Sequence, residues 1–169
     1  MPVINVRYQA GPGRPDPLPS LLVELGPMIS VDVLPPSVVE EEAASSGREV
    51  GRAENLMALI DTGASVTGVE GDVLRSLGYP PVGVALMNTP SGAVRTEVYV
   101  VKLVMPSMMD PRFPPNVQRI VKDYVHVLSI TKLGSPRPQY QYRALIGRDV
   151  LADLFVAYNG SQALITLAY

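Results

Sequence analysis

The sequence predicts a single all-β domain with one or two short helices. Three observations support this fold class: short runs in which apolar and polar residues alternate, few stretches with helical spacing, and many turn-forming residues. The chain has 17 prolines and 14 glycines among its 169 residues, and these residues separate short strands and turns. A length on the order of 150 residues favours one domain with a sizeable core.

The first third of the chain predicts an arm, two strands and a loop. Residues 1–19 hold five prolines and predict an extended N-terminal arm after a short strand at 3–8. The segments 20–26 and 28–34 alternate apolar and polar residues, the period of half-buried strands. Residues 35–55 are polar and small, and they predict a long exposed loop whose three consecutive glutamates form a solvated face.

The rest of the chain predicts strands and two short helical segments. Residues 56–61 form a continuous apolar run that ends on Asp61, which indicates a buried strand. Residues 70–79 predict a short helix that Gly78 ends. The remaining predictions are strands at 82–105 around a turn at 89–93, a loop at 106–119 within an insertion over 106–124, strands at 122–130 and 143–147, one or two helical turns at 148–154, and a hairpin at 155–169.

Composition excludes several kinds of chemistry. The chain has no cysteine, so disulfides, thiolate nucleophiles and cysteine-based zinc sites are excluded. One histidine, His126, cannot make a His-rich metal site, and we expect neither a metal nor a cofactor. A net charge of -2 without a long basic run argues against nucleic-acid binding. We expect no membrane span and a cytoplasmic location, because no signal peptide and no apolar run of about 20 residues is visible.

The most informative stretch is LIDTGAS at residues 59–65. Asp61 ends an apolar strand, and Gly63 allows the backbone to turn sharply and other groups to come close. The Thr62 hydroxyl and nearby backbone N–H groups can fix such a loop and hold the carboxylate. Peptide hydrolysis by carboxylates alone needs two of them, one ionised to activate water and one protonated to donate to the carbonyl oxygen. Two carboxyls at close range share one proton. The alternative for Asp61 is a turn residue that caps backbone N–H groups.

LIDTGAS resembles the active-site motif of the pepsin-like and retroviral-type aspartic proteases. ALIGRDVL at 144–151 resembles the second signature of the retroviral type, and a flap-like hairpin lies between the two. The resemblance covers roughly residues 20–169 and implies a retropepsin-like closed β-barrel, the acid-protease fold, with one lobe per chain. This chain has one Asp-Thr-Gly, as do the retroviral enzymes, in which two identical chains meet at a two-fold axis.

The resemblance implies roles for the residues of the first motif and of the hairpin. Asp61 from each subunit would form the catalytic dyad, Thr62 would interlock across the axis, and Gly63 would face the substrate backbone. An ordinary hairpin turn remains an alternative to a flap. The implied substrate-binding residues are Gly63, Ala64, Ser65, Thr89, Pro90, Ser91, Gly92 and Ala93.

The second motif implies supporting roles. Gly147 would brace the active-site loop, and Arg148 and Asp149 would open a short C-terminal helix and form structural ion pairs. In the retroviral enzymes the arginine pairs with an acid four residues after the catalytic aspartate, where this chain has Ser65. The partner of Arg148 therefore stays open, with Asp72 as one candidate.

The predicted function is a homodimeric aspartic endopeptidase that hydrolyses peptide bonds by water activated between two Asp61 carboxylates. Its partners would be a second copy of the chain and a peptide or protein substrate. The final strand, at 163–169, is expected to join the termini of the partner in an interface sheet. Two alternatives stay open: a catalytically silent dimeric peptide-binding module with the same fold, and an enzyme that is latent until the N-terminal arm is removed.

Overall fold

The structure is a computed structural model that describes residues 2–11, 14–89, 92–134, 137 and 139–169. The described part contains twelve strands and four short helices. The strands are β1 (Val3–Arg7), β2 (Gln9–Gly11), β3 (Arg14–Pro17), β4 (Met28–Leu34), β5 (Ala53–Ile60), β6 (Gly68–Glu70), β7 (Gly83–Thr89), β8 (Gly92–Met105), β9 (Ile120–Ile130), β10 (Tyr142–Ile146), β11 (Phe155–Asn159) and β12 (Leu164–Ala168). The helices are α1 (Pro19–Leu25), α2 (Ser37–Ser45), α3 (Gly71–Ser76) and α4 (Arg148–Leu151).

Six strands close into a barrel. The sheet order is β4-β5-β10-β6-β9-β8-β7, and β4 also pairs with β8, so the ring closes and β7 remains attached to β8 as an edge strand. Closure gives each of the six strands a neighbour on both sides, which removes their unpaired edges. The prediction of an all-β closed barrel with one lobe is confirmed.

The strand that carries the first motif is paired with the strand that carries the second. β5 runs parallel to β10 with Ile60 opposite Ile146, and β10 continues antiparallel to β6. Leu56–Ile60 of β5 and Ala144–Ile146 of β10 are apolar, as expected for parallel strands with neighbours on both sides. The carboxyl ends of β5 and β10 therefore lie side by side, and Asp61 and Gly147 follow them directly.

One core connects the barrel, the first and third helices and the terminal strands. Helix α3 was predicted, and it packs Val73 and Leu74 inward. The largest side chains that are fully buried are Ile4, Leu22, Ile29, Val31, Leu74, Leu77, Leu103, Met105, Ile120, Ile146, Ile165 and Leu167.

A second sheet joins the two ends of the chain in the order β1-β12-β11. Within it Val3 lies opposite Ala168, which lies opposite Phe155. Both edges of β12 are thus paired within the same chain. The expectation that the final strand joins the termini of a partner is wrong, because β1 and β11 already occupy both of its hydrogen-bonding edges. The predicted domain boundary after residue 19 stays a prediction, although β1 lies inside this folded sheet.

Two helices replace structures that the sequence predicted differently. The strand predicted at 20–26 is helix α1, with Pro19 in its first turn and Gly26 at its end with a φ of 69°. Proline suits the first turn of a helix and a positive φ suits glycine. Leu22 and Leu25, three residues apart, face the core.

The predicted loop at 35–55 contains helix α2. Glu40 on this helix forms ion pairs with Arg52, at 2.7 Å, and with Lys102. The interpretation of its glutamates as a purely solvated face is therefore wrong for Glu40, whose side chain is 19% exposed. None of the helices in the described ranges is long and apolar enough to cross a membrane.

Asp32 on β4 is a fully buried carboxylate with a structural role. Its oxygens accept hydrogen bonds from the backbone N–H of Asn55 and of Met108, both at 2.8 Å, and from the Ser107 hydroxyl. Asn55 has a φ of 57° and sits where the β4–β5 register shifts. One side chain thus fixes a bulge in the barrel and the start of the loop after β8.

We expect Asp32→Ala to lower the free energy of unfolding by about 3 kcal/mol, because it leaves several donors without an acceptor in a buried site. Urea unfolding followed by circular dichroism measures the change. Glu54→Ala is the matched control, since it removes an exposed carboxylate from β5 and should change stability by less than about 0.5 kcal/mol. Equal losses in the two variants would contradict the role of Asp32.

Candidate active site

The Asp61 carboxylate is held by the loop that it opens. The backbone N–H of Asp61 donates to the carbonyl of Ile146 at 3.0 Å, which extends the pairing of β5 with β10 by one residue. Asp61 Oδ1 accepts hydrogen bonds from the N–H groups of Gly63, at 2.8 Å, and Ala64, at 3.3 Å. The side chain is therefore fixed by backbone donors while it remains half-exposed at the end of its strand.

A side chain at position 63 would crowd the Asp61 carboxylate. A Cβ atom at this position would lie 3.0 Å from Asp61 Oδ1, closer than side-chain atoms normally approach. Thr62 and Gly63 are both exposed. Within the described part of the chain, the Thr62 hydroxyl has no hydrogen-bond partner, so it is available to a molecule outside the chain.

The loop is braced from behind by Thr67, which the sequence interpretation did not single out. The buried Thr67 hydroxyl accepts a hydrogen bond from the N–H of Gly147 at 3.0 Å and donates one to Asp149 Oδ1 at 2.8 Å. The N–H of Thr67 also donates to the Asp149 carboxylate at 3.0 Å. The N–H of Arg148 donates to the carbonyl of Ala64 at 3.0 Å. These hydrogen bonds join the loop after β5 to the second motif.

Gly147 packs directly against the backbone of the loop. A Cβ atom here would lie 2.6 Å from the carbonyl carbon of Val66 and 2.8 Å from the nitrogen of Thr67. Backbone atoms cannot move aside as the end of a flexible side chain can. Gly147 therefore packs directly behind the loop that Asp61 opens.

Arg148 and Asp149 begin α4 as predicted, but they do not form the predicted ion pairs. The Arg148 guanidinium donates to the Ser65 hydroxyl at 2.8 Å, and the Asp149 carboxylate accepts from Thr67. Among the described residues neither side chain has an ion-pair partner. The physical reason is the serine at position 65, which offers a hydroxyl where the retroviral pattern has an acid, while Asp149 points at two donors of Thr67.

Asp72, which the sequence analysis named as a candidate partner of Arg148, pairs with a different arginine. Its Oδ2 lies 2.6 Å from the guanidinium of Arg143 on β10. The hydrogen bond from Arg143 lowers the pKa of the Asp72 carboxyl below its usual value. Asp72 therefore belongs to a separate charged cluster with Arg143 and Glu70, and not to the loop that Asp61 opens.

A cleft of about 380 Å³ lies between this loop and strand β7. Its walls are largely apolar, and three of the predicted substrate-binding residues, Gly63, Ala64 and Ser65, line it. The sequence interpretation missed the contribution of β7. The lining residues are Gly63, Ala64, Ser65, Val66, Gly68, Leu86, Met87, Asn88, Leu128, Ile130 and Leu145.

The hairpin of β7 and β8 is present, but the described residues of its tip do not line the cleft. Thr89 pairs with Gly92, its hydroxyl donates to the carbonyl of Gly92 at 2.8 Å, and Gly92 has a φ of 119°, which requires glycine. Pro90 and Ser91 were predicted to bind substrate and lie outside the described residues. The described tip residues, which include Ala93, are not among the cleft residues; the body of β7 is.

The part of the chain that the structure describes contains no group of three or more His, Asp or Glu side chains that could hold a metal ion. His126 is exposed on β9, where it lines a pocket with Asp149 and Val150 of α4.

The chain was compared with protein families, curated sequences and solved structures. No protein-family model matches the chain, and no curated protein matches its sequence. The solution structure of the protease of simian foamy virus (mac) superposes with a TM-score of 0.38 at 16% sequence identity, over 75% of this chain and 92% of that one.

We expect Gly147→Ala to destabilise the protein by about 3 kcal/mol, because a methyl group would overlap the backbone of the loop. The change is measured as the shift in thermal unfolding. Gly83→Ala is the matched control, since a Cβ at Gly83 meets nothing within 4 Å. A wild-type melting temperature for Gly147→Ala would show that the loop is not packed against α4 as described.

Proposed function

We propose that the protein is an aspartic endopeptidase that acts as a homodimer. The single observation that carries the proposal is the Asp61 carboxylate, fixed by two backbone N–H groups at the start of a loop whose next residues, Gly63, Ala64 and Ser65, line an apolar cleft. Such a carboxylate can orient a water molecule, but it needs a proton donor on the other side of the scissile carbonyl. The described cleft residues of one chain include no second carboxylate. A second copy, related by a two-fold axis, supplies one without any further residue.

In this proposal the two Asp61 side chains share one proton, because two carboxylates at close range cannot both be ionised. The ionised carboxylate takes a proton from the water as the water attacks the carbonyl carbon. The protonated carboxylate donates to the carbonyl oxygen, which gives a tetrahedral intermediate. Exposed Thr62 is free to bond across the axis, and Gly63 leaves room for the substrate backbone.

The cleft favours an extended peptide with apolar side chains. Leu86, Leu128 and Ile130 give it apolar walls, and burial of a large apolar side chain contributes about 1.5–3 kcal/mol. In the described part of the sheet, β7 pairs only with β8, so its other edge can form backbone hydrogen bonds with an added strand. Backbone pairing would hold the peptide extended, and the apolar contacts would select for sequence near the scissile bond.

We infer that the dimer forms through the free edge of β11. This strand, FVAYN, contains neither a charge nor a proline, the two devices that usually protect an edge strand. Phe155 is 66% exposed on one face and Tyr158 is 53% exposed on the other. Antiparallel pairing of β11 with its copy would cover both aromatic rings and make one sheet of six strands. Helix α4, which contacts the active-site loop through Arg148, immediately precedes this strand.

We expect Asp61→Asn to reduce cleavage of a proteome-derived peptide library by about 10²–10⁴-fold, because neither subunit can then supply the ionised carboxylate. Cleavage is measured by mass spectrometry between pH 3 and pH 8. Asp123→Asn is the control, since it makes the same chemical change at an exposed site on β9. Cleavage that persists in Asp61→Asn would refute the mechanism. Tight peptide binding by the wild type without any cleavage would favour the silent peptide-binding module.

We expect Phe155→Glu to weaken the dimer at least about tenfold, because it removes an exposed apolar ring from the pairing edge and places there a charge, which protects edge strands from pairing. Sedimentation velocity over a range of protein concentrations measures the dissociation constant, and specific activity should fall in parallel. Val23→Glu is the control, because Val23 is 78% exposed on α1. A monomer that cleaves peptides at every concentration, or a dimer insensitive to Phe155→Glu, would contradict this interface.

A further inference from the structure

A second groove continues from the cleft past β7. Its volume is about 490 Å³, and it shares Met87 and Ile130 with the cleft. Arg95 in this groove lies directly opposite Leu86 of the cleft in the β7–β8 pair. The Cα atoms of directly opposed residues in antiparallel strands lie only about 4.5–5.5 Å apart. A peptide that extends beyond the cleft on this side therefore comes within reach of the groove.

The groove carries an excess of positive charge. Four cations line it against two carboxylates: Arg75, Arg95, Lys132 and Arg143 against Glu70 and Asp72. Both carboxylates are engaged by one of the cations. Arg143 Nε lies 2.6 Å from Glu70 Oε2, and its terminal nitrogen lies 2.6 Å from Asp72 Oδ2. The other three side chains therefore carry three positive charges, and Arg143 with its two carboxylates carries one negative charge, which leaves the groove a net excess of two positive charges.

Those three cations have no counterion among the described residues. Arg75, Arg95 and Lys132 are all exposed, and they come from three separate elements: α3, β8 and the segment after β9. The guanidinium of Arg75 lies against Gly71: a Cβ atom on this glycine would be 2.9 Å from it. Three unpaired cations from different elements that face one groove repel one another, and an anion between them would relieve that repulsion.

We propose that this groove binds an acidic side chain of the peptide substrate, at a fixed position outside the residues that flank the scissile bond. The proposal rests on the proposed peptidase function and adds a second determinant of specificity to it. Apolar residues would fill the cleft beside Asp61, and a glutamate or aspartate further along the same extended peptide would meet Arg95, Lys132 and Arg75. Arg143 would take no part, since Glu70 and Asp72 already neutralise it.

Binding and cleavage are tested separately. The probes are two fluorescein-labelled pools of twelve-residue peptides of identical design, one containing Asp and Glu at degenerate positions and the other Asn and Gln. Binding to Asp61→Asn, which does not depend on turnover, is measured by fluorescence anisotropy. We expect the acidic pool to bind about threefold to tenfold more tightly at low salt, and the difference to shrink at 0.5 M NaCl. Cleavage of the same pools by the wild type should show acidic residues enriched at one position.

Charge reversal at Arg95 gives the sharpest control. Arg95→Glu should abolish the acidic preference, whereas Arg48→Glu reverses an exposed charge outside the groove and should leave the preference unchanged. Cleavage without an acidic preference would refute the proposed role of the groove and leave the proposed peptidase activity intact. Acid-selective binding without cleavage would support the role of the groove and refute the peptidase activity. Equal binding of both pools would overturn the groove whether or not cleavage occurs.

Discussion

The hydroxyl of Thr67 is the contact on which the candidate site depends. It is buried, it accepts from the N–H of Gly147 and it donates to the carboxylate of Asp149. A hydroxyl is suited to this position because it can accept and donate at once. Without it a buried backbone N–H would lose its acceptor, which costs about 1–3 kcal/mol. The barrel fixes Asp61 at the start of the loop, and the Thr67 hydroxyl fixes the end of the loop against Gly147 and Asp149.

The barrel gives that contact its rigidity. Asp61 follows β5, and Gly147 follows β10, two strands in direct parallel register inside a closed ring. Neither strand can slide without breaking pairs on both sides. Gly147 then allows the second motif to approach the first to within backbone contact. The half-exposed carboxylate therefore stands at the end of a strand that is paired on both sides, which gives the rigid support that a preorganised site requires.

Local chemistry was predictable from the sequence, whereas contacts between distant segments were not. The Asp-Thr-Gly turn after an apolar strand, the short helix at α3 and the hairpin of β11 and β12 each follow from a few neighbouring residues. Thr67 was missed because its partners lie some eighty positions further along the chain. The place of β12 in the middle of its sheet was missed for the same reason, since β1 pairs with it from the other end of the chain.

Helix α1 shows a different limit. Its residues alternate well enough to satisfy a strand pattern, and they also place Leu22 and Leu25 on one helical face. Over seven residues the two periods are hard to distinguish. Pro19 and Gly26 decide between them, because one suits the first turn of a helix and the other its end. In a segment this short, the proline and glycine at its ends indicate the structure better than the spacing of its apolar residues does.

The treatment of strand edges links the fold to the proposed function. Barrel closure pairs six strands on both sides, and β12 is paired on both sides within the terminal sheet. Among the described elements, β7 and β11 are edge strands with large exposed apolar side chains and no charged residue. An unprotected edge of this kind invites another strand. β7 borders the cleft, where that strand would be a peptide, and β11 follows the helix that contacts the active-site loop, where it would be a second copy of the chain.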